Sequence, residues 1–257
     1  MFRSIKDLDG FTIGATDGDI GTVREFYFDD VSYTVRYVVV DTGSWLAERK
    51  VLLSPIAFRT MDWEHKRIAA ALTKAQVEKS PNIDTEKPVS RQHEIAYYGY
   101  YGYTPYWAGS YLWGAFPYPY PAAGPALSPA ELERERRWNW EAKQSQDPHL
   151  RSSREVSGYH IHATDGDIGH VEDFLVDDLS WAIRYMIVDT TNWWPGKKVL
   201  VAPAWIERVD WDKAMVHVHL RRDQIRTSPE YDPARPIERA YETRLYGHYT
   251  QPGYWDK

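Results

Sequence analysis

The sequence contains no cysteine. That removes disulfides, thiolate nucleophiles and cysteine-based zinc or iron–sulfur centres, and it agrees with a reducing, cytoplasmic setting. An excess of basic charge is also missing. The 37 acidic side chains outnumber the 31 basic ones, a formal net charge of −6, which argues against nucleic acid held by a basic surface. No stretch is aliphatic enough to span a bilayer. The opening MFRSIKDLDG lacks the apolar run of a secretory signal. Charge itself vanishes between Ile95 and Ala130, where Ile95, Leu112 and Leu127 are the branched aliphatics among many Tyr, Gly and Pro. What the chain has in quantity is aromatic rings, 19 Tyr and 12 Trp.

The strongest positive signal is internal repetition. Thr16-Asp17-Gly18-Asp19-Ile20-Gly21 returns 148 residues later as Thr164-Asp165-Gly166-Asp167-Ile168-Gly169. The same shift, without a gap, pairs Asp29-Asp30 with Asp177-Asp178 and Arg36-Tyr37 with Arg184-Tyr185. It also pairs Val40-Asp41-Thr42 with Val188-Asp189-Thr190, Asp62-Trp63 with Asp210-Trp211, and Tyr106-Trp107 with Tyr254-Trp255. From residue 11 to 84 there are about 30 identities in 74 pairs. Two copies of one unit are therefore expected, rather than one large fold.

Each copy reads as β. Phe11, Ile13 and Ala15 alternate with smaller or polar residues, and Asp17-Gly18-Asp19 supplies turn chemistry. Ile20 to Phe28 and Tyr33 to Val40 are β-branched and aromatic runs around a turn at Asp29-Asp30. Lys50 to Leu53 makes a fourth strand, and Phe58 to Trp63 with Arg67 to Leu72 a closing hairpin. Thr73 with Gln76 has the pattern of a capping box. Short strands at this spacing point to a small barrel. A tail follows each copy, Arg91 to Glu94 and Tyr98-Gly99 in one, Arg239 to Glu242 and Tyr246-Gly247 in the other, each read as a short helix ending in Tyr-Trp. Ser128-Pro129 opens a charged helix to about Lys143. The expected all-β organisation is a first barrel over 1–84, its aromatic tail over 85–109, and a Pro-rich linker with the charged helix over 110–150. A second barrel follows over 151–232, with its tail over 233–257.

This order of features resembles the PRC-barrel family, named for the cytoplasmic domain of the photosynthetic reaction centre H subunit. The match is a strand, Asp-Gly-Asp-Ile-Gly, a strand ending in Asp-Asp, a Tyr-Val-Val-Val strand, an aromatic loop, and Lys-Val-Leu followed by Pro55 or Pro203. The resemblance extends through each tail. It implies a small β-barrel used for protein contact, and it supplies no catalytic motif.

Four groups of side chains are candidates for chemistry. Asp17, Asp19, Asp29, Asp30 and Asp41 recur in the second copy. Clustered carboxylates can bind Ca²⁺ or act as acid and base, but turns alone explain most of these, and the spacing is not that of an EF-hand. Arg36 and Arg184 lie in the most apolar strand. Each either grips an anionic ligand or, as expected here, pairs with a nearby Asp; Asp41 and Asp189 are retained near the same strand. His160, His162, His217 and His219 occur in the second copy only. On strands, each i, i+2 pair shares a face, opposite Ile161, Ala163, Val216, Val218 and Leu220. If the two strands are neighbours, four imidazoles could meet and suit Zn²⁺ or Ni²⁺, but two polar strand faces that happen to be His are the preferred explanation, and no bound metal or cofactor is expected. Trp45, Trp193 and Trp194 in matching loops, with Trp107 and Trp255 in the tails, suit first packing within the chain or a homo-oligomer, then a foreign protein partner, and last the stacking of a sugar.

The reading that follows is a non-enzymatic protein-binding or assembly module. An accessory role in a photosynthetic or other electron-transfer complex, peripheral to a membrane, is the alternative, and a histidine-based metal enzyme the second alternative. Each copy is expected to fold by itself. Each tail is expected to pack on a barrel through its Trp, with flexible chain beginning after Trp107.

Overall fold

The computed structural model of the protein describes residues 1–47, 49–81, 89–121, 149–190 and 197–256. The charged helix, the linker beyond residue 121, and Trp193 and Trp194 lie outside the described residues.

Strands dominate, with few helices. The repeated segments form two seven-stranded sheets of the same order. In the first, β2 (Thr12–Ala15), β3 (Gly18–Asp29), β4 (Thr34–Asp41) and β5 (Lys50–Leu53) form an antiparallel run, and β6 (Phe58–Asp62) pairs with β7 (Arg67–Ala70). β7 then joins β2 in parallel, giving the path β5-β4-β3-β2-β7-β6. The second sheet places β9 (His160–Ala163), β10 (Gly166–Asp177), β11 (Ile183–Asp189), β12 (Lys198–Val201), β13 (Ile206–Asp210) and β14 (Met215–Val218) in the corresponding order. Among the described residues no ladder joins the two ends of either path, so each sheet is described as an open path.

The turns follow the sequence closely. Asp17 accepts from the Lys74 amide at 2.8 Å and so caps α2 (Lys74–Glu78); Asp165 does the same for Arg222 at the start of α5 (Arg222–Thr227). The Thr73–Gln76 capping box is present. Gly21 and Gly169 answer to crowding. A Cβ on either would lie 2.0 Å from the carbonyl oxygen of Asp41 or Asp189 in the neighbouring strand.

The seventh strand of each sheet is a three-residue element that the sequence pattern does not place, although the 148-residue shift also pairs Arg3-Ser4 with Arg151-Ser152. β3 and β10 are each 12 residues long, while β2 and β9 are 4. One side of each long strand therefore outruns its partner. A three-residue strand covers the remainder: β1 (Phe2–Ser4) pairs with Leu175–Asp177 of β10, and β8 (Leu150–Ser152) pairs with Tyr27–Asp29 of β3. The compact units are consequently discontinuous in sequence. One, the β10 unit, comprises residues 1–7, 153–178 and 183–257; the other, the β3 unit, comprises 8–152 and 179–182.

β4 is buried along nearly its whole length, which a strand covered on one face cannot be. The second cover is the tail. α3 (Arg91–Tyr101) turns Arg91, Glu94, Tyr97 and Tyr98 inward at helical spacing. In the β10 unit, α6 (Arg239–His248) buries Glu242, Leu245 and Tyr246. Short helices α1 (Ile5–Leu8) and α4 (Ser153–Val156) follow β1 and β8.

Gly169→Ala forces the backbone of two paired strands apart. It is expected to cost roughly 2–3 kcal/mol and to lower the melting temperature by roughly 5–10 °C. Gly99→Ala, with open space at the Cβ position inside α3, is expected to be neutral or mildly stabilising. Thermal unfolding followed by circular dichroism distinguishes the two.

Candidate functional site

The tail helix brings a carboxylate into the protein interior. Glu94 is fully buried, a position that an ionised group tolerates only when it is paired and hydrogen-bonded. Tyr37 of β4 donates its hydroxyl to Glu94 Oε1 at 3.1 Å, and Tyr106, past the helix, donates to the same oxygen at 3.0 Å. Arg91 Nη1 lies 2.9 Å from Oε2, and His149 Nε2 lies 3.0 Å from it.

Arg36 stands beside this knot because the strand bulges there. Tyr27 faces Tyr37 and Phe28 faces Val35, so Arg36 is the extra residue between two pairs. A bulge re-aims the side chain it carries. The guanidinium stacks 3.8 Å from the Tyr106 ring centroid and 4.9 Å from that of Trp113. It also bonds Asp29 at 2.7 Å, the Ser32 hydroxyl at 3.0 Å and the Leu112 carbonyl. Burial alone would raise the Asp29 carboxyl. The Arg36 charge and the Ser32 hydrogen bonds outweigh it and hold Asp29 below the ordinary value of 3.8. Burial, then the Glu94 carboxylate, pushes the Tyr37 hydroxyl well above its usual value, so it stays a donor.

The β10 unit builds the same knot. Tyr185 donates to Glu242 Oε1 at 2.7 Å and Tyr254 at 3.0 Å, while Arg239 approaches Oε2 at 2.9 Å. Arg184, again at a bulge, lies 4.2 Å from the Tyr254 ring and 3.9 Å from Asp177. The terminal tryptophans are equivalent too. Arg91 stacks on Trp107 and Arg239 on Trp255, each at 4.1 Å. Trp107 meets Tyr98, and Trp255 meets Tyr246, edge to face.

The other residues singled out in the sequence fall into place as follows. Trp45 donates its ring N–H to the Ile20 carbonyl and lies under Lys74 at 4.3 Å. Asp41 accepts from the Gly43 amide at 3.0 Å and pairs with Arg24 at 3.4 Å. Asp189 ends β11, opposite His170 and Lys198. Asp19 pairs with Arg67, Asp30 with Arg151 and Asp167 with His162. Strands β9 and β14 are neighbours, and the His162 and His217 rings meet edge-on at 5.3 Å. The four imidazoles do not converge. His219 lies near Glu207 at 3.9 Å, and among the described residues no group of three or more His, Asp or Glu could hold a metal ion.

The flexible chain expected immediately after Trp107 is corrected by the structure. Bridges join Tyr111 to Gly114 and Trp113 to Phe116. Trp113 is buried and donates to the Ser180 carbonyl at 2.7 Å. The anchored turn leaves Tyr111 61% exposed, with Tyr118 and Tyr120 also on the surface and Tyr120 packed 5.0 Å from Phe116.

Sequence reasoning passed over Glu94, Glu242, Tyr37 and Tyr185. The Arg-x-x-Glu retained in both tails was the available signal. Without the tail's position on β4, it says nothing about a buried carboxylate.

With this geometry in view, residues 2–73 match the PRC-barrel domain family, and the chain carries a PRC-barrel domain there. A curated relative from Deinococcus radiodurans, described as an uncharacterized protein, is 39% identical over 75 residues. The aligned stretch covers 29% of this chain and 27% of that relative.

Glu94→Ala strands a buried guanidinium, since the Arg91 side chain is 4% exposed; the expected cost is about 3–5 kcal/mol. Glu242→Ala leaves Arg239, 53% exposed, free to hydrate, and about 1–3 kcal/mol is expected. Urea unfolding of the two variants checks the ranking.

A second prediction concerns pH. Burial raises the Asp173 carboxyl above 3.8, against hydrogen bonds from Ser4 and Phe174 and the nearby Lys6 charge. A raised carboxyl destabilises when ionised, so its contribution improves as pH falls through the raised value towards 3.8. Asp29, held low, stabilises when ionised, and that contribution is lost only as pH falls from 3.8 through its depressed value. Asp173→Asn is expected to flatten the stability profile just above pH 3.8, and Asp29→Asn to flatten it below. Urea titrations at stepped pH measure both.

Proposed function

We propose that the chain is a non-enzymatic protein-binding or assembly module built from two PRC-type barrels, with the tail knots serving to fix the framework. The PRC-barrel match over residues 2–73 supports a role in protein contact, and the recurrence of strand order and knot 148 residues later supports duplication of that unit. The observation that carries the proposal is the aromatic turn after the first tail. Trp113 and Arg36 pin it from beneath, while Tyr111, Tyr118 and Tyr120 face solvent. Rigid, exposed tyrosines on an anchored frame are the composition of protein-recognition surfaces. The partner would be another protein rather than nucleic acid, met in the cytoplasm or at a membrane complex. No helix among the described residues is long and apolar enough to cross a membrane.

The test is affinity capture with quantitative mass spectrometry, comparing the natural chain with Tyr111→Ser/Tyr118→Ser/Tyr120→Ser. The triple variant is expected to keep its melting temperature within a few degrees and to lose a defined set of captured proteins. An identical captured set from both chains overturns the assignment of this surface.

A further inference from the structure

β1 and β8 are held by the same apparatus. Phe2, Arg3 and Ser4 face Asp177, Val176 and Leu175; Leu150, Arg151 and Ser152 face Asp29, Phe28 and Tyr27, the same register 148 residues apart. The side chains repeat the match. Ser4 donates to Asp173 and Ser152 to Glu25, the residue equivalent to Asp173. Arg3 pairs with Asp178 at 3.4 Å and Arg151 with Asp30 at 2.8 Å. Phe2 further packs edge-on against Tyr185 at 5.7 Å, a ring of the Glu242 knot. A carboxylate thus reads the serine, an aspartate reads the arginine, and the main chain supplies the ladder. This is recognition by strand addition to an otherwise open edge.

In both sheets the added strand lies far from its acceptor in sequence. Ser4 is 169 residues from Asp173, and Arg151 is 121 residues from Asp30. None of these contacts distinguishes a strand of the same chain from that of another copy. The difference is only the effective concentration that the connecting chain provides.

We propose that the Leu175–Asp177 edge of β10 is a strand-receiving site that accepts β1 from a second copy of this chain, so that copies associate by exchanging this segment. The exchange of β1 is reciprocal and closes as a two-fold dimer, because each copy gives one β1 and receives one on its β10 edge while β8 stays on β3. The site selects an apolar-Arg-Ser tripeptide. It stands independently of the exposed tyrosines.

The experiment mixes natural-abundance and ¹⁵N-labelled full-length chains at high concentration in mild urea, returns them to buffer, and weighs the products by native mass spectrometry. Dimers of mixed mass are expected, and a peptide of sequence MFRSIKDL in excess should suppress them. Ser4→Asp, which sets a carboxylate against Asp173, should reduce the mixed fraction at least tenfold. Ser4→Asp/Asp173→Ser, which exchanges hydroxyl and carboxylate, should restore it; circular dichroism confirms that each variant is folded. Absence of mixed dimers from the natural chain overturns the proposal. Mixed dimers undiminished by Ser4→Asp or by the peptide also overturn it, because association would then use another face.

Discussion

A carboxylate taken wholly out of water constrains everything around it. Glu94 could not stay beneath its helix without the hydroxyls of Tyr37 and Tyr106 and the cation of Arg91. Each of those groups comes from a different part of the chain: the central strand, the segment after the helix, and the helix's own first turn. Satisfying one charge therefore fixes the helix on the sheet, the aromatic extension on the helix, and the bulge that presents Arg36 to that extension. Removing the tail would also leave β4 with an uncovered face. The tail is a layer of the fold rather than an appendage.

The second knot uses the same groups, yet its surroundings differ. Arg91 is enclosed and joined by His149, whereas Arg239 is half in solvent. The first tail also continues into the turn anchored by Trp113, which carries the exposed tyrosines. The copy with the drier knot thus supports the surface assigned to binding. A recognition loop gains from a stiff base, because less of its interaction energy is lost in ordering it.

Much of this was written in the sequence. Alternation together with β-branched and aromatic runs placed six strands of the first sheet to within a residue or two. Thr73 and Gln76 took the capping roles their spacing implied, whereas the bond from the Lys74 amide to Asp17 of the turn was not foreseen. The pairing of Arg36 with an aspartate was legible, but the partner is Asp29. The reason is a bulge, and one extra residue in a ladder leaves no mark on composition. β1 and β8 escaped because three residues carry no period. The Glu94 knot escaped because its signal was spread over three segments that only the fold brings together. Among the histidines, the outward faces followed from alternation; the adjacency of β9 and β14 was a condition that only the fold supplies, and convergence depended on rotamers and neighbours that alternation does not encode.

The discontinuous makeup of the units has a consequence for synthesis. Ribosomes extend chains at about 5–20 residues per second, and Arg151 follows its partner Asp30 by 121 residues. The first sheet therefore waits roughly 6–24 s, with the far edge of β3 bare, before its last strand emerges. Over that interval the nascent chain offers one bare edge along Tyr27 to Asp29, whose other edge pairs with β4, to anything that can lie alongside it, including β1 of the same chain. Native pairing would then require that early occupant to leave, which makes maturation a matter of order as well as stability.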